Sequence, residues 1–176
     1  MLRRATYEEL RTRFGADLLQ GITPALLTDL GDELLGLGVK IAGLKLGERG
    51  FYLRTADRCA VAGMGRAAPA NPAAWADQEL WAPCFRVEVV GTTGAGDAAI
   101  AGFIAGLLRG LAPAATLTAA VAVGACNVEA ADALSGIRTW DETMGRIAAG
   151  WPRRELTLDA AGWQFRAEHG LWVRIP

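Results

Sequence analysis

The chain has 176 residues, a length that suits a single domain with its own hydrophobic core, and its formal net charge is −1. A charge so close to zero gives no sign of a basic surface, so we expect neither nucleic acid nor an anionic membrane as a partner. The three cysteines lack metal-ligand spacing and no apolar signal segment opens the sequence, which favours a cytoplasmic protein with reduced thiols.

The chain is predicted to begin with two helices. The first covers residues 6–14, where Thr6 and Glu9 have the spacing of a capping box. The second covers residues 24–36, with Thr23 as its N-cap and a proline in the first helical position. Leucines repeat along one face of this second helix, so we expect that face to be buried.

An antiparallel hairpin is predicted next. Residues 39–44 form an apolar run typical of a buried strand, residues 47–50 form a glycine-rich turn, and residues 51–54 return as a second strand. Prolines, alanines and glycines over residues 60–80 predict a surface loop. One or two further strands are expected within residues 79–90.

Three helices are predicted in the second half, over residues 95–108, 114–128 and 139–149. The apolar stretch 98–108 contains two glycines four residues apart, a spacing also found in packed transmembrane helices. It is shorter than the about 20 residues that a bilayer needs, so we expect a helix buried against a sheet. Strands that alternate with helices indicate α/β architecture.

A glycine-rich motif, Gly-Thr-Thr-Gly-Ala-Gly-Asp, occupies residues 91–97 between an apolar run and the helix that starts at 95. Such a turn presents free backbone N–H groups to an anion, and the helix dipole adds partial positive charge there. A carboxylate beside a phosphate makes sense if it receives a proton from an attacking hydroxyl. The order of strand, anion-binding turn, buried base and helix therefore predicts phosphoryl transfer to an alcohol.

Three segments resemble the ribokinase-like (PfkB-type) carbohydrate kinase family. Residues 91–103 are similar to its second signature, residues 44–50 (Leu-Lys-Leu-Gly-Glu-Arg-Gly) to its nucleotide-side turn, and residues 126–137 to its adenine-side segment. The similarity extends over residues 6–149. It implies an α/β fold, a ribokinase-like Rossmann-type three-layer sandwich, of which this chain holds the C-terminal, nucleotide-binding portion.

The resemblance implies ATP-dependent phosphoryl transfer, assisted by Mg²⁺, to a hydroxyl of a sugar or related polyol. Asp97 would be the general base, and the backbone N–H groups of Gly94, Ala95, Gly96 and Asp97 would form the anion hole. The alternative for Asp97 is an ordinary acidic residue in the first turn of a helix, where the dipole favours it.

Other site residues follow from the same resemblance. It implies that four residues bind the nucleotide: Lys45, Gly47, Thr93 and Asn127. The alternatives are a hairpin turn with a solvated lysine for Lys45 and Gly47, and a polar helix end for Asn127. Glu9 aligns with a magnesium-linked glutamate, although the capping box explains it equally well. Many members hold a monovalent cation with an aspartate at the first motif position, where this chain has Gly91, which makes a cation site of that kind doubtful.

The resemblance assigns residues 1–150 to the nucleotide-binding and catalytic part and leaves residues 151–176 as a C-terminal tail. Members of the family are longer, and their first half grips the sugar. A truncated start, a separate other half and a reduced nucleotide-binding module are all open explanations. A half-sheet would leave an apolar face uncovered, which favours a homodimer or association with a missing N-terminal half.

Two other functions are open. A non-catalytic module would bind the nucleotide without phosphorylating a sugar. A dinucleotide-binding domain would use residues 94–99, which fit G-x-G-x-x-G/A. That function needs an acidic residue after a second strand about 20 positions on, and residues 113–118 contain no acid.

Overall fold

The computed structural model describes residues 3–175, which form helices on both sides of one sheet. The helices of the described chain are α1 (Arg4–Phe14), α2 (Pro24–Gly36), α3 (Arg58–Ala62), α4 (Ala95–Leu108), α5 (Pro113–Asn127) and α6 (Trp140–Ala148). Its strands are β1 (Ile41–Lys45), β2 (Phe51–Thr55), β3 (Glu79–Ala82), β4 (Trp163–Arg166) and β5 (Leu171–Arg174).

The sheet has the order β1-β2-β3-β5-β4, and every neighbouring pair is antiparallel. The predicted hairpin is confirmed, because β1 pairs with β2 so that Leu44 lies opposite Tyr52. A short 3-10 turn, Gly47–Arg49, connects the two strands.

Alternating side chains of β2 divide the core into two layers. Phe51 and Leu53 pack in one cluster with Leu117 of α5, and Tyr52 packs in the other with Leu27 of α2. A strand buried on both faces requires helices on both sides of the sheet. The predicted α/β class with helices on both sides of the sheet is therefore confirmed.

Helices α4 and α5 approach closely through small residues. A Cβ placed on Gly102 would lie 2.9 Å from Val123, and one on Gly106 would lie 3.2 Å from Thr116. The glycine spacing in α4 thus serves contact between two helices of the core. No helix within residues 3–175 is long and apolar enough to cross a membrane.

The predicted starts of α2 and α6 are confirmed by their caps, and the predicted start of α1 is wrong. Thr23 caps α2 by accepting the Leu26 N–H, and Thr139 forms a capping box with Glu142 before α6. Helix α1 instead begins at Arg4, so Thr6 lies inside it and caps nothing. A tertiary contact accompanies this earlier start: Arg3 precedes the helix, and its Nε donates a hydrogen bond to the Glu33 carboxylate of α2 at 2.7 Å.

Residues 79–90 contain one strand, β3, within the one or two predicted, but no strand leads directly into the motif. Strand β3 ends at Ala82, and residues 86–90 form no strand. Pro83 follows β3 and lacks the N–H that would continue the ladder. The extended chain leading to the motif is held instead by the Val90 and Gly91 N–H groups, which donate to the Val128 carbonyl at 2.8 and 3.2 Å. The predicted loop 60–80 also contributes to the core, through the buried ring of Trp75.

Residues 151–175 belong to the predicted C-terminal tail and carry β4 and β5. Strand β5 pairs with β3 in the interior of the sheet order, and Arg174 contacts the buried Glu79 carboxylate at 3.0 Å. The same carboxylate accepts hydrogen bonds from the hydroxyls of Thr28 and Tyr52. Burial, together with the Glu79 carboxylate, raises the pKa of Tyr52, so its hydroxyl remains a donor. The C-terminal segment is thus joined to both the sheet and α2.

Candidate nucleotide-binding site

The N-terminus of α4 offers unpaired backbone donors. Gly94 precedes the helix with φ 77°, a conformation that favours glycine, and its carbonyl accepts the first helical bond from Ala98 at 2.8 Å. Ala95 donates to the Thr92 carbonyl at 3.3 Å, whereas the N–H groups of Gly94, Gly96 and Asp97 have no acceptor within residues 3–175. Three free amides lie at the positive end of a 14-residue helix, an arrangement that favours an anionic ligand.

Lys45 brings a cation to the same place. It ends β1, and its Nζ lies 4.0 Å from Oδ1 of Asp97. A Cβ on Gly96 would lie only 2.6 Å from this Nζ, so the Lys45 ammonium can occupy this position only because residue 96 is a glycine. The amides and the ammonium together favour a negatively charged ligand at the start of α4.

A cavity of about 320 Å³ adjoins this helix start. Its walls are mostly apolar and come from α4, α5 and the extended residues 87–89, with charged side chains contributed by the β1–β2 turn and the C-terminal segment. Its lining includes Lys45, Gly47, Glu48, Val87, Thr92, Gly96, Gly124, Val128 and Arg154. An apolar slot that ends in donors and cations suits a flat ring system bearing an anionic chain.

Some of the residues predicted from sequence meet at this cavity. Lys45, Gly47, Ala95 and Gly96 line it. Gly94 and Asp97 flank them in the same turn of the chain. The β1–β2 hairpin and the start of α4 are 50 residues apart in the numbering, and the fold joins them through Lys45 and Gly96.

The expectation of a buried base is wrong, because the Asp97 side chain is 92% exposed. The helical spacing explains this position: Asp97 shares one face of α4 with Ile100, Ile104 and Leu108, all of them exposed. Leu108 is 76% exposed. The described chain therefore leaves an apolar stripe uncovered, with the carboxylate at one end of it.

Other predicted residues lie away from the cavity lining. Thr93 is exposed, and its neighbour Thr92 lines the cavity instead. Asn127 is fully buried and donates from Nδ2 to the Ala133 carbonyl at 2.7 Å, so it holds the loop after α5. Glu9 is exposed on α1, and residues 3–175 contain no group of three His, Cys, Asp or Glu side chains that could hold a metal ion.

Gly91 is required by the close approach of the loop after α5. A Cβ on Gly91 would lie 2.8 Å from the Ala131 carbonyl oxygen. Asp132 shapes that loop by accepting hydrogen bonds from Ser135 and from the Leu134 N–H, and these bonds lower the pKa of Asp132 to about 2. A side chain at position 91 would have to displace this backbone.

Sequence reasoning missed the contribution of Glu48 and Arg154 to the cavity. Glu48 lies inside the turn that the resemblance identified, so its position in the chain was a usable signal. Arg154 lies beyond every segment that carried the resemblance. The pairing of its backbone with Cys84, which brings it to the cavity, has no local sequence signature.

The structure combines an α/β fold with a glycine-rich turn that has unpaired amides at a helix start, and comparison with known proteins gives its family. The chain belongs to the pfkB family of carbohydrate kinases, whose model matches residues 5–140. The resemblance drawn from residues 91–103 is thus confirmed. No curated protein sequence matches the chain.

Solved structures of kinases share the fold. Ribokinase from Thermotoga maritima superimposes with a TM-score of 0.53 at 23% identity, covering 82% of this chain and 40% of that one. Aminoimidazole riboside kinase from Salmonella enterica, solved with aminoimidazole riboside and an ATP analogue, gives a TM-score of 0.50 at 28% identity, covering 78% of this chain and 39% of that one. The chain therefore spans about two fifths of the length of these kinases.

Proposed function

We propose that this protein carries out ATP-dependent phosphoryl transfer to a hydroxyl of a sugar or related polyol. The observation that carries the proposal is the convergence of three unpaired amides, those of Gly94, Gly96 and Asp97, with the Lys45 ammonium at one end of an apolar cavity. Donors fixed in place before the reaction stabilise charge that develops on a transferring phosphoryl group.

The cavity supports a specific orientation of the nucleotide. The adenine would lie in the apolar part, between α5 and residues 87–89, where Gly124 and Val128 form the wall. The phosphates would then extend toward Lys45 and the start of α4. The ATP analogue bound by the Salmonella enterica kinase supports a nucleotide as the ligand of this fold.

Asp97 would act as the general base. A general base must lie within hydrogen-bond reach of the acceptor hydroxyl, so the position of the carboxylate decides whether Asp97 can serve. Its exposed carboxylate stands next to the free amides and 4.0 Å from the Lys45 ammonium. An acceptor approaching from the open side of α4 would meet the base and the phosphoryl group together.

Magnesium would enter with the nucleotide. Mg²⁺ commonly keeps several waters and binds substrate phosphates with only one or two carboxylates, and it would neutralise phosphate charge. Glu9 does not fit the magnesium role that the resemblance implied, because it is exposed on α1 and does not line the cavity. No step of the proposed reaction is assigned to Glu9.

A nucleotide-binding module without turnover is the second candidate. The exposure of Asp97 and of the stripe Ile100, Ile104 and Leu108 favours it, because an acceptor site needs walls that exclude water. Assaying the chain for ATP-dependent phosphorylation of a panel of sugars separates the two candidates. A phosphorylated sugar supports the kinase, and ATP binding without any product supports the module.

The substitution Gly96→Ala tests the nucleotide site directly. The new methyl group would displace the flexible end of Lys45, which costs little folding energy, and alanine stabilises a helix by up to about 1 kcal/mol relative to glycine. We expect the protein to keep its stability while the Kd for ATP, measured by calorimetry, rises about tenfold, as for loss of a charged hydrogen bond.

Gly145→Ala is the matched control, because Gly145 lies within α6 and a Cβ there would meet nothing within 4 Å. It should leave ATP binding unchanged. The added methyl group must displace the Lys45 ammonium. If the Kd for ATP were nevertheless unaltered in Gly96→Ala, the start of α4 would not be the ATP phosphate site.

A further inference from the structure

A second cation reaches the cavity from outside the segment that matches the family. Arg154 lies beyond residues 5–140, and yet its side chain lines the same cavity as Lys45. Its backbone is fixed there, because the Arg154 N–H donates to the Cys84 carbonyl at 2.7 Å and the Arg86 N–H donates to the Pro152 carbonyl at 2.8 Å. A short antiparallel bridge between Phe85 and Arg153 completes the attachment.

The two neighbouring arginines have different roles. Arg153 points into the protein, where it donates to the Pro83 carbonyl and the Thr118 hydroxyl and stacks over the Phe85 ring. Burial lowers the pKa of Arg153 to about 10. Because successive side chains of an extended segment point to opposite faces, Arg154 is directed to the cavity. Arg153 thus anchors residues 152–154 to the protein, and this anchored segment places Arg154 at the cavity.

Arg154 forms an exposed ion pair at the cavity. Its guanidinium lies 2.9 Å from the Glu48 carboxylate, which also lines the cavity. The two side chains are 47% and 67% exposed, and ion pairs as exposed as this one contribute little to stability. Glu48 is three residues from Lys45 in the β1–β2 hairpin, so the pair stands on the cationic side of the cavity.

We propose that Arg154 is a nucleotide-binding residue that exchanges Glu48 for the phosphate chain of ATP. The inference rests on the proposed function and adds a contact from the C-terminal segment. A guanidinium presents several donors in a fixed fork that matches phosphate oxygens, and it remains charged at every physiological pH. Lys45 and Arg154 would then contact the phosphates from two different elements of the fold.

Two substitutions with opposite expected effects test the inference. Arg154→Gln should raise the Kd for ATP about tenfold while leaving the Kd for adenosine, which lacks phosphates, unchanged. Glu48→Gln should tighten ATP binding by up to about fivefold, because a carboxylate that competes for Arg154 is removed. Arg66→Gln, at an exposed arginine outside the cavity lining, is the control and should change neither Kd.

Each outcome has a distinct meaning. Equal weakening of ATP binding by Arg154→Gln and Glu48→Gln would show that the ion pair only shapes the turn, and it would overturn the inference. An unchanged Kd for ATP in Arg154→Gln would overturn it as well, while ATP binding by the unmodified protein would leave the proposed function standing. Failure of the unmodified protein to bind ATP would overturn the proposed function, and this inference with it.

Discussion

Asp97→Asn is expected to lower kcat for sugar phosphorylation by about 10²–10⁴-fold, the contribution typical of a general base, while ATP binding is retained. The amide keeps the size and shape of the side chain but cannot take the acceptor proton. The backbone donors at the start of α4 do not depend on the Asp97 side chain, so the anion site survives. Steady-state assays with saturating ATP and calorimetric titration of ATP give the two quantities.

Asp141→Asn is the control for the other explanation of Asp97, an acid in the first turn of a helix. Asp141 is exposed in the first turn of α6, and its loss removes only a dipole interaction of about 0.3–1 kcal/mol. It should leave kcat unchanged. If Asp97→Asn behaved as Asp141→Asn does, with kcat near that of the unmodified protein, Asp97 would have no part in the mechanism.

Gly50→Ala should destabilise the protein by at least about 3 kcal/mol, through backbone strain combined with overlap. Gly50 ends the β1–β2 turn with φ 100°, and a Cβ there would overlap the Ala82 carbonyl oxygen and lie 3.0 Å from the Cα of Pro83. Both neighbours belong to the backbone and cannot rotate away. Urea unfolding monitored by circular dichroism measures the change in free energy of unfolding.

Gly38→Ala is the control that separates the two causes in Gly50→Ala, backbone strain at positive φ and overlap with neighbouring backbone atoms. Gly38 has a similar φ of 96°, but a Cβ there would meet nothing within 4 Å. We expect a loss of about 1 kcal/mol, in the lower part of the range for a residue held in an unfavourable region. Equal losses of unfolding free energy in Gly50→Ala and Gly38→Ala would show that the Ala82 carbonyl does not approach Gly50 as closely as described.

Much of the fold could be predicted because local rules and packing agree. Helix α4 has the bounds predicted for it, since a glycine turn opens it and an apolar run of helix formers continues to Leu108. The β1–β2 hairpin follows from two apolar runs around a glycine turn. The first helix start was wrong, because a contact with Glu33 in another helix outweighed the capping-box spacing at Thr6.

The C-terminal strands show a signal that was present but weak. Trp163 and Phe165 alternate with polar residues, and Gly170 separates them from β5. Each strand has only four residues, and a period of two is hard to recognise over that length. The pairing of β5 with β3, which lie about 90 residues apart in the numbering, is a tertiary event that no local pattern specifies.

The candidate site was also predictable only in part. Three of its four predicted donors are free, because the first N–H groups of a helix have no intrahelical acceptor, whereas the Ala95 N–H pairs with the Thr92 carbonyl. The exposure of Asp97 could not be predicted, since it depends on whether another segment covers that face of α4. The role of Arg154 depends on the attachment of residues 152–154 to residues 84–86, which only the folded chain reveals.

The most direct test of the account is a titration of ¹⁵N-labelled protein with ATP, followed by the amide signals of Gly94, Gly96 and Asp97. Hydrogen bonds from these free amides to phosphate should move their proton resonances downfield with ATP and leave them in place with adenosine. If ATP saturated the protein and these three resonances did not move, the phosphate would bind elsewhere and the kinase site proposed here would be contradicted.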